Sequence, residues 1–403
     1  MNARLHPEKA NPQIDDGGFE QSRGFTSSPD EEMAWTEPQS SRGEVDRAGD
    51  WVIKHAGDTP LDDEKWDHCW EVINNWRSSH SYPLQVLKMT LKHRALTIDA
   101  TTLVAQRLKR FFSVFLKLDR NPHMKLSQMQ DIGGCRAILR NVRDAEELVK
   151  LYQASDLRNY QRCRPEPSRS FDYINNPKPD GYRSFHLVYK YESDSAQRKV
   201  FNGHRIEIQI RSRLQHAWAT AVETVDIATS QALKSNVGDD NWRRFFALMG
   251  SAIALRERRP LVPGTPTQRT DLAEEVRDLA EKLNVEGVLA GIGTALRTSS
   301  TGDRDDAAFL LLLEAAGEEK VVTVRGYKKG EIVRAQNEYA QMERDIRGIA
   351  GVQAVLVSVD SLDNLEAAFP NFFLDTEAFL EALRFTTAAR KPRIRSRVAR
   401  RKR

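Results

Sequence analysis

The run RIEIQIR, residues 205–211, alternates Ile206, Ile208 and Ile210 with Glu207, Gln209 and Arg211. A strand repeats every two residues, so three branched apolar side chains fall on one face and three polar ones on the other. Such a segment has to bury its isoleucine face against a core and turn the other face to water or to a ligand. Two more strand-like runs, CRAIL at 135–139 and FHLVYKY at 185–191, are interleaved with helical or polar segments. The alternation predicts an α+β domain, a mixed β-sheet flanked by helices.

The rest of the chain divides around this centre. Residues 1–50 mix Asp, Glu, Ser, Gly and Pro without a helical or strand period, and are read as disordered because they cannot repay the ordering of the chain. From 51 to about 117 the pattern is helical, with Leu84, Leu87, Leu91 and Ala95 on one apolar face. Pro260, Pro263, Gly264 and Pro266 mark a linker, and 271–283 reads as a charged amphipathic helix. Strand-like 321–324, helical 331–347 and strand-like 352–359 then make a βαβ-like unit. The predicted layout is a disordered segment 1–50, the sheet domain 51–259, a linker and helical connector 260–306, a small α/β domain 307–386 and a basic tail 387–403. The lone Gly291-Ile292-Gly293 lacks a preceding strand and a third glycine, and reads as packing.

Composition narrows the classes. The longest obvious apolar run, 307–313, is far short of the roughly 18 residues that cross a bilayer. No apolar stretch follows the first basic residues, which places the chain in the cytoplasm, away from any membrane. Cys69, Cys135 and Cys163 have no C-x-x-C spacing, so reduced thiols are expected, without a disulfide frame or zinc site. The net charge of +4 is uneven, because 390–403 holds nine Lys or Arg; without them 52 bases face 57 acids. A basic tail of that kind contacts a polyanion such as RNA or simply aids solubility.

Three segments can carry chemistry. RLKRFFSVFLKL at 107–118 reads as a helix with Lys109, Ser113 and Lys117 on one face and Leu108, Phe112, Phe115 and Leu116 on another. It is either a solvated surface helix or a cationic wall for phosphates. Asp131 stands just before the first strand-like run, with Arg136 five residues on. Asp131 and Glu207, on neighbouring strands, can chelate Mg²⁺, which favours carboxylate oxygens. In the loop 172–186, shaped by Pro177, Pro179 and Gly181, Tyr182 either packs on the body or offers its ring to a base. Asp180 can accept from the paired N–H donors of guanine. His186 and His216 read as hydrogen-bonded supporting histidines.

Taken together, these motifs resemble the RelA/SpoT nucleotidyltransferases that make (p)ppGpp. The family's R-x-K with a following Ser and Lys corresponds to Arg107, Lys109, Ser113 and Lys117. Its Asp and Arg five apart correspond to Asp131 and Arg136. Its D-Y-I, P-K, G-Y-x-S and H lie within 172–186, and its E-x-Q-I-R corresponds to Glu207, Gln209 and Arg211. The resemblance spans about 70–225. It implies a nucleotidyltransferase-like fold and transfer of diphosphate from ATP to the 3′-hydroxyl of GDP or GTP. Arg107 and Arg136 would hold adenine and phosphates, with Lys109, Ser113 and Lys117 beside them. Asp131 and Glu207 would hold Mg²⁺, with Glu207 also placed to take a proton. Tyr182 would stack on guanine, while Lys178, Asp180, His186, Gln209 and Arg211 serve the acceptor. The chain departs from the pattern at Phe171, where a lysine is usual, and at Asp180, where Asn is common. No His-Asp pair occurs, so synthesis without hydrolysis is expected. A relative that modifies the 3′ end of tRNA and a catalytically idle nucleotide-binding regulator are the alternatives. The tail is then a contact for tRNA or the ribosome, and a homo-oligomer is compatible with the sequence.

Overall fold

The computed structural model describes residues 35–55, 63–163, 171–229, 239–294, 296–300, 306, 308–316, 319–346, 349, 352–358 and 376–388. Helix α1 (Arg42–Lys54) starts inside the segment expected to be disordered. The reason is local. Ser41 and Glu44 form a reciprocal capping box, and Val45, Ala48 and Val52 recur on one buried face. That face packs with α2 (Asp63–Ser78), which supplies Trp66, Trp70, Ile73 and Trp76. In α3 (Ser81–Ile98), Leu84, Leu87, Leu91 and Ala95 are all buried, as their spacing predicts.

The remaining elements, in chain order, are β1 (Leu103–Leu108), α4 (Phe111–Asp119), β2 (Gly133–Leu139), α5 (Val142–Ala154), β3 (Tyr160–Cys163), β4 (Phe185–Tyr191), β5 (Arg205–Ser212), α6 (Arg213–Thr229), α7 (Asp240–Glu257), α8 (Arg269–Lys282), α9 (Val285–Thr294), β6 (Leu296–Ser300), β7 (Ala308–Ala316), β8 (Glu319–Tyr327), α10 (Ile332–Asp345), β9 (Gln353–Ser358) and α11 (Glu377–Thr387). The strands form one mixed sheet in the order β3-β4-β5-β2-β1-β9-β7-β8-β6. β2 and β5 run parallel, while β1 and β4 are antiparallel to their neighbours. This is the α+β architecture that the alternation predicts.

Ile206, Ile208 and Ile210 have no exposed surface and join Cys135, Ala137, Leu139, α3 and α5 in the main core. Burying one face in this way leaves the opposite face of β1, β2, β5 and β4 to the site. A second core forms from α6, α7, α8, α9 and α11, where Phe245, Phe246 and Phe379 meet. Thus the region 260–306, read as linker and connector, contributes two helices to a packed core.

The C-terminal strands do not stand apart from the sheet. β8, α10 and β9 follow the expected strand-helix-strand order, but β7 lies between the two strands and is antiparallel to both. Sequence periodicity marks strands, not their neighbours, so this insertion was not visible. β9 then pairs with β1, Gln106 opposite Ser358 and Arg107 opposite Val357. The described residues from Trp35 on belong to one compact unit. Residues 389–403, most of the basic tail, lie outside the described residues. Among the described residues, no helix is long and apolar enough to cross a membrane.

Candidate active site

Ladder register builds the floor of the site. Arg107 on β1 lies opposite Gly134 on β2, and Gly134 lies opposite Glu207 on β5. In the next row Ala105 faces Arg136, Arg136 faces Gln209, and Gln209 faces His186 on β4. Cross-strand partners share a face, so both rows point away from the buried isoleucines. A Cβ added to Gly134 would meet nothing within 4 Å. The space above this glycine is a cleft that opens to solvent. Arg107, Lys109, Asp131, Arg136, Glu207 and Gln209 line it.

One side of the cleft is cationic. Lys109 Nζ donates to Asp131 Oδ2 at 3.0 Å, and Lys117 Nζ donates to Oδ1 at 2.7 Å. Burial alone would raise the Asp131 carboxyl, but the two ammonium groups outweigh it and hold it well below the usual carboxylate range. Burial pulls Lys109 below its ordinary value, with Asp131 opposing and Lys117 and Arg107 reinforcing the shift. Burial and the neighbouring Arg211 and Arg107 also push Arg136 down, to about 9. A guanidinium stays charged regardless, so Arg136 is a buried cation with two further guanidinium groups near it, a setting that a polyanion would relieve.

The other side is a hydrogen-bonded chain. His186 Nδ1 meets Glu207 Oε1 at 2.8 Å, and His186 Nε2 meets the Tyr182 hydroxyl at 2.8 Å. Gln209 Nε2 donates to Glu207 Oε2 at 2.7 Å, and Arg211 Nη2 donates to Gln209 Oε1 at 2.6 Å. Burial disfavours the charged imidazole, yet Tyr182 and Glu207 overcome it and raise His186 to about 9. Burial likewise opposes the Glu207 carboxylate, and His186 more than compensates, lowering its pKa. Doubly protonated, the ring donates from both nitrogens, so Tyr182 accepts and keeps its own proton to give. Burial would raise Tyr182, but His186 and Arg211 lower it to about 8.

Tyr182 sits where the loop predicts, next to Gly181 at φ 95°. Asp180 Oδ1 accepts from the Tyr182 backbone N–H at 2.8 Å, so one of its oxygens shapes the turn. Lys178 Nζ lies 4.3 Å from the Tyr173 ring centre and 5.1 Å from that of Tyr182. Of the two histidines singled out, His186 touches Glu207, while His216 is buried on α6.

The helix read over 107–118 is shorter than its pattern suggests. Arg107 and Leu108 belong to β1, Arg110 is an extended N-cap, and the helix begins at Phe111. Lys109 therefore sits in a joint, not on the helical face with Ser113 and Lys117. Its backbone N–H donates to Ile132 O at 2.7 Å, which brings it beside Asp131. The buried face of α4 is Phe111, Val114 and Leu118, whereas Phe112 is 66% exposed. Pairing of Leu108 with Gly133 decides this, and a helical wheel cannot see it. Sequence reasoning also missed Gly134 as the floor, although the doubled glycine before CRAIL was a usable signal.

Residues 106–226 match the family model described as the region found in RelA / SpoT proteins, so the chain carries a RelA/SpoT-type region. It is 34% identical over 121 residues to the GTP pyrophosphokinase YwaC of Bacillus subtilis, covering 28% of this chain and 52% of that one. It is 31% identical over 140 residues to the GTP pyrophosphokinase YjbM of the same organism, covering 33% and 60%. The chain thus spans about half to three fifths of the length of these relatives. A solved small alarmone synthetase 1 from Bacillus subtilis, bound to its product pppGpp, is 20% identical, with a TM-score of 0.34 over 57% of this chain and 99% of that one.

Proposed function

We propose that the RelA/SpoT-type cleft transfers the β,γ-diphosphate of ATP to the 3′-hydroxyl of GDP or GTP, releasing AMP. The observation that carries this reading is one cleft lined by two carboxylates, Asp131 and Glu207, together with Arg107, Lys109 and Arg136, with Lys117 reaching Asp131 from α4. An excess of cations suits the polyphosphate of ATP, and two acids suit a hard divalent ion.

Asp131 and Glu207 fit Mg²⁺ by donor type and by their lowered pKa. Among the described residues no group of three or more His, Cys, Asp or Glu is placed to hold a metal ion. Phosphate and water would therefore complete the shell. When bound, the ion would neutralise phosphate charge. Arriving phosphate oxygens would take over the ammonium groups of Lys109 and Lys117 and so release both Asp131 oxygens. Ser113, one turn before Lys117 on α4, lies along the same path. Tyr182 offers its ring to guanine, Asp180 its remaining oxygen to the base and Lys178 its ammonium to the acceptor's phosphates, while His186 ties Glu207 to Tyr182. Gln209 and Arg211 hold Glu207 in place.

The 3′-oxygen would bond to the β-phosphorus, its proton passing to water, while the bond to the bridging oxygen of AMP breaks and AMP leaves as the anion. Held at low basicity, Glu207 is better suited to hold a cation and orient the hydroxyl than to keep its proton. Positioning and charge supply most of the acceleration.

Purified chain incubated with ATP labelled in its terminal phosphates, and with GDP, GTP or bulk tRNA, tests the reading. Label on the guanine nucleotide with matching AMP is the expected result. Asp131→Asn and Glu207→Gln should each cut the rate by on the order of 100-fold or more. Label on RNA alone, or no transfer at all, would end the proposal.

A further inference from the structure

We infer that Glu343, on α10 in the C-terminal part of the chain, is a positioning residue for the cations that hold the ATP phosphates. The inference rests on the proposed reaction and names a determinant of ATP binding outside the RelA/SpoT-type region.

The geometry centres on the joint at 109–111, between β1 and α4. Glu343 Oε1 accepts from the backbone N–H of Phe111 at 2.8 Å, the first residue of α4. Its Oε2 accepts from Arg77 Nη1 at 2.7 Å. Arg77 Nε in turn donates to the backbone carbonyl of Lys109 at 2.8 Å. Tyr339, one turn earlier on α10, accepts from Arg77 Nη2 at 3.3 Å and donates to Glu343 Oε1 at 2.9 Å. The Arg77 and Glu343 side chains are only 3% and 7% exposed. One carboxylate thus grips both ends of the joint, directly at Phe111 and through Arg77 at Lys109.

What the joint sets is the direction of two lysines. Lys109 lies within it, and Lys117 lies on the helix whose first amide Glu343 caps. A negative group at a helix N-terminus is favourable, and here it also fixes where α4 begins. Strand β9 holds the neighbouring Arg107 in register from the same part of the chain. The C-terminal unit therefore reaches the phosphate-facing cations by two separate attachments. Removing the charge of Glu343 leaves Arg77 buried without its anion, a costly state. The joint would relax, and the lysines would lose their aim.

The test uses the full-length chain. Glu343→Gln should raise the KM for ATP by about tenfold while the KM for GDP stays within about twofold. A double variant, Arg77→Met with Glu343→Leu, removes the stranded charge. It should unfold near the wild-type temperature and still bind ATP poorly. Glu338→Gln, which alters a half-buried residue of the same helix that pairs with Arg325 of β8 and Arg334 of α10, should leave both constants unchanged. On the unaltered chain, a non-hydrolysable ATP analogue should slow hydrogen exchange over 332–345, and this readout decides the matter should either variant unfold. A folded variant with wild-type KM for ATP, equal rises in both constants, or unchanged exchange overturns the inference. Calorimetry with the same analogue separates the two proposals: a wild-type chain that does not bind it loses the reaction itself, whereas equal binding by wild type and Glu343→Gln loses only the role of Glu343.

Discussion

Glu207 can be ionised in a half-buried position because His186 answers it, and His186 holds its proton because Glu207 and Tyr182 surround it. This dependence gives stability a pH signature. The folded chain keeps the His186 proton to about pH 9, whereas an unfolded chain releases it near 6.5. Between those values the folded state binds more protons, so this contribution is complete below about 6.5 and declines as pH rises. Above about pH 8, Tyr182 begins to ionise in the folded state and acts in the opposite sense. Thermal unfolding of the wild type should therefore fall in temperature from pH 6.5 to 8, and His186→Gln should flatten that slope. Equal slopes would mean that His186 is neutral in the folded protein. The residue types at this site were legible, since alternation placed Glu207, Gln209 and Arg211 together. The contact of His186 with Glu207 was not, because it depends on which strand lies beside β5.

At the scale of elements, α7 braces the turn that presents Tyr182. A Cβ on Gly181 would lie 2.7 Å from the Phe246 carbonyl, and one on Gly250 would lie 2.8 Å from the Gly181 Cα. Backbone meets backbone here, and Gly181 also occupies the left-handed region. Gly181→Ala should cost about 1–3 kcal/mol of stability, measured by denaturant unfolding. Gly250→Ala should behave alike, and both should weaken the guanine acceptor more than ATP, read as separate KM values. Retained stability in both would show that the turn can shift away. Helix α4 teaches a related lesson from the sequence side. Its pattern of apolar and basic residues was visible, but its starting point was set by pairing of β1 with β2 and by the Glu343 carboxylate.

For the molecule as a whole, the sheet runs without a break from β3 to β6, so the C-terminal strands share the stability of the rest. All seven tryptophans lie at or before residue 242, none in the C-terminal strands. A separate C-terminal domain would lose secondary structure without changing tryptophan emission. The continuous sheet predicts that far-UV circular dichroism and tryptophan emission change together in denaturant. Two separated transitions would show instead that the pairing of β9 with β1 is too weak to couple the halves. The boundary drawn near 260 came from prolines and polar residues, which mark a break in local structure but carry no information about what packs across it.

By itself the sequence determined the periodic elements and the chemistry of one strand face, because side-chain direction in a strand follows from local geometry and burial of the isoleucines leaves only one arrangement. It also placed Asp131, Arg136 and the loop around Tyr182 in order along the chain. Tertiary structure decided which of these meet. Lys109 and Lys117 converge on Asp131, His186 on Glu207, and Glu343 on a joint more than two hundred residues away. Such contacts are fixed by strand order and packing, which act between segments far apart in the chain and leave no periodic trace within either.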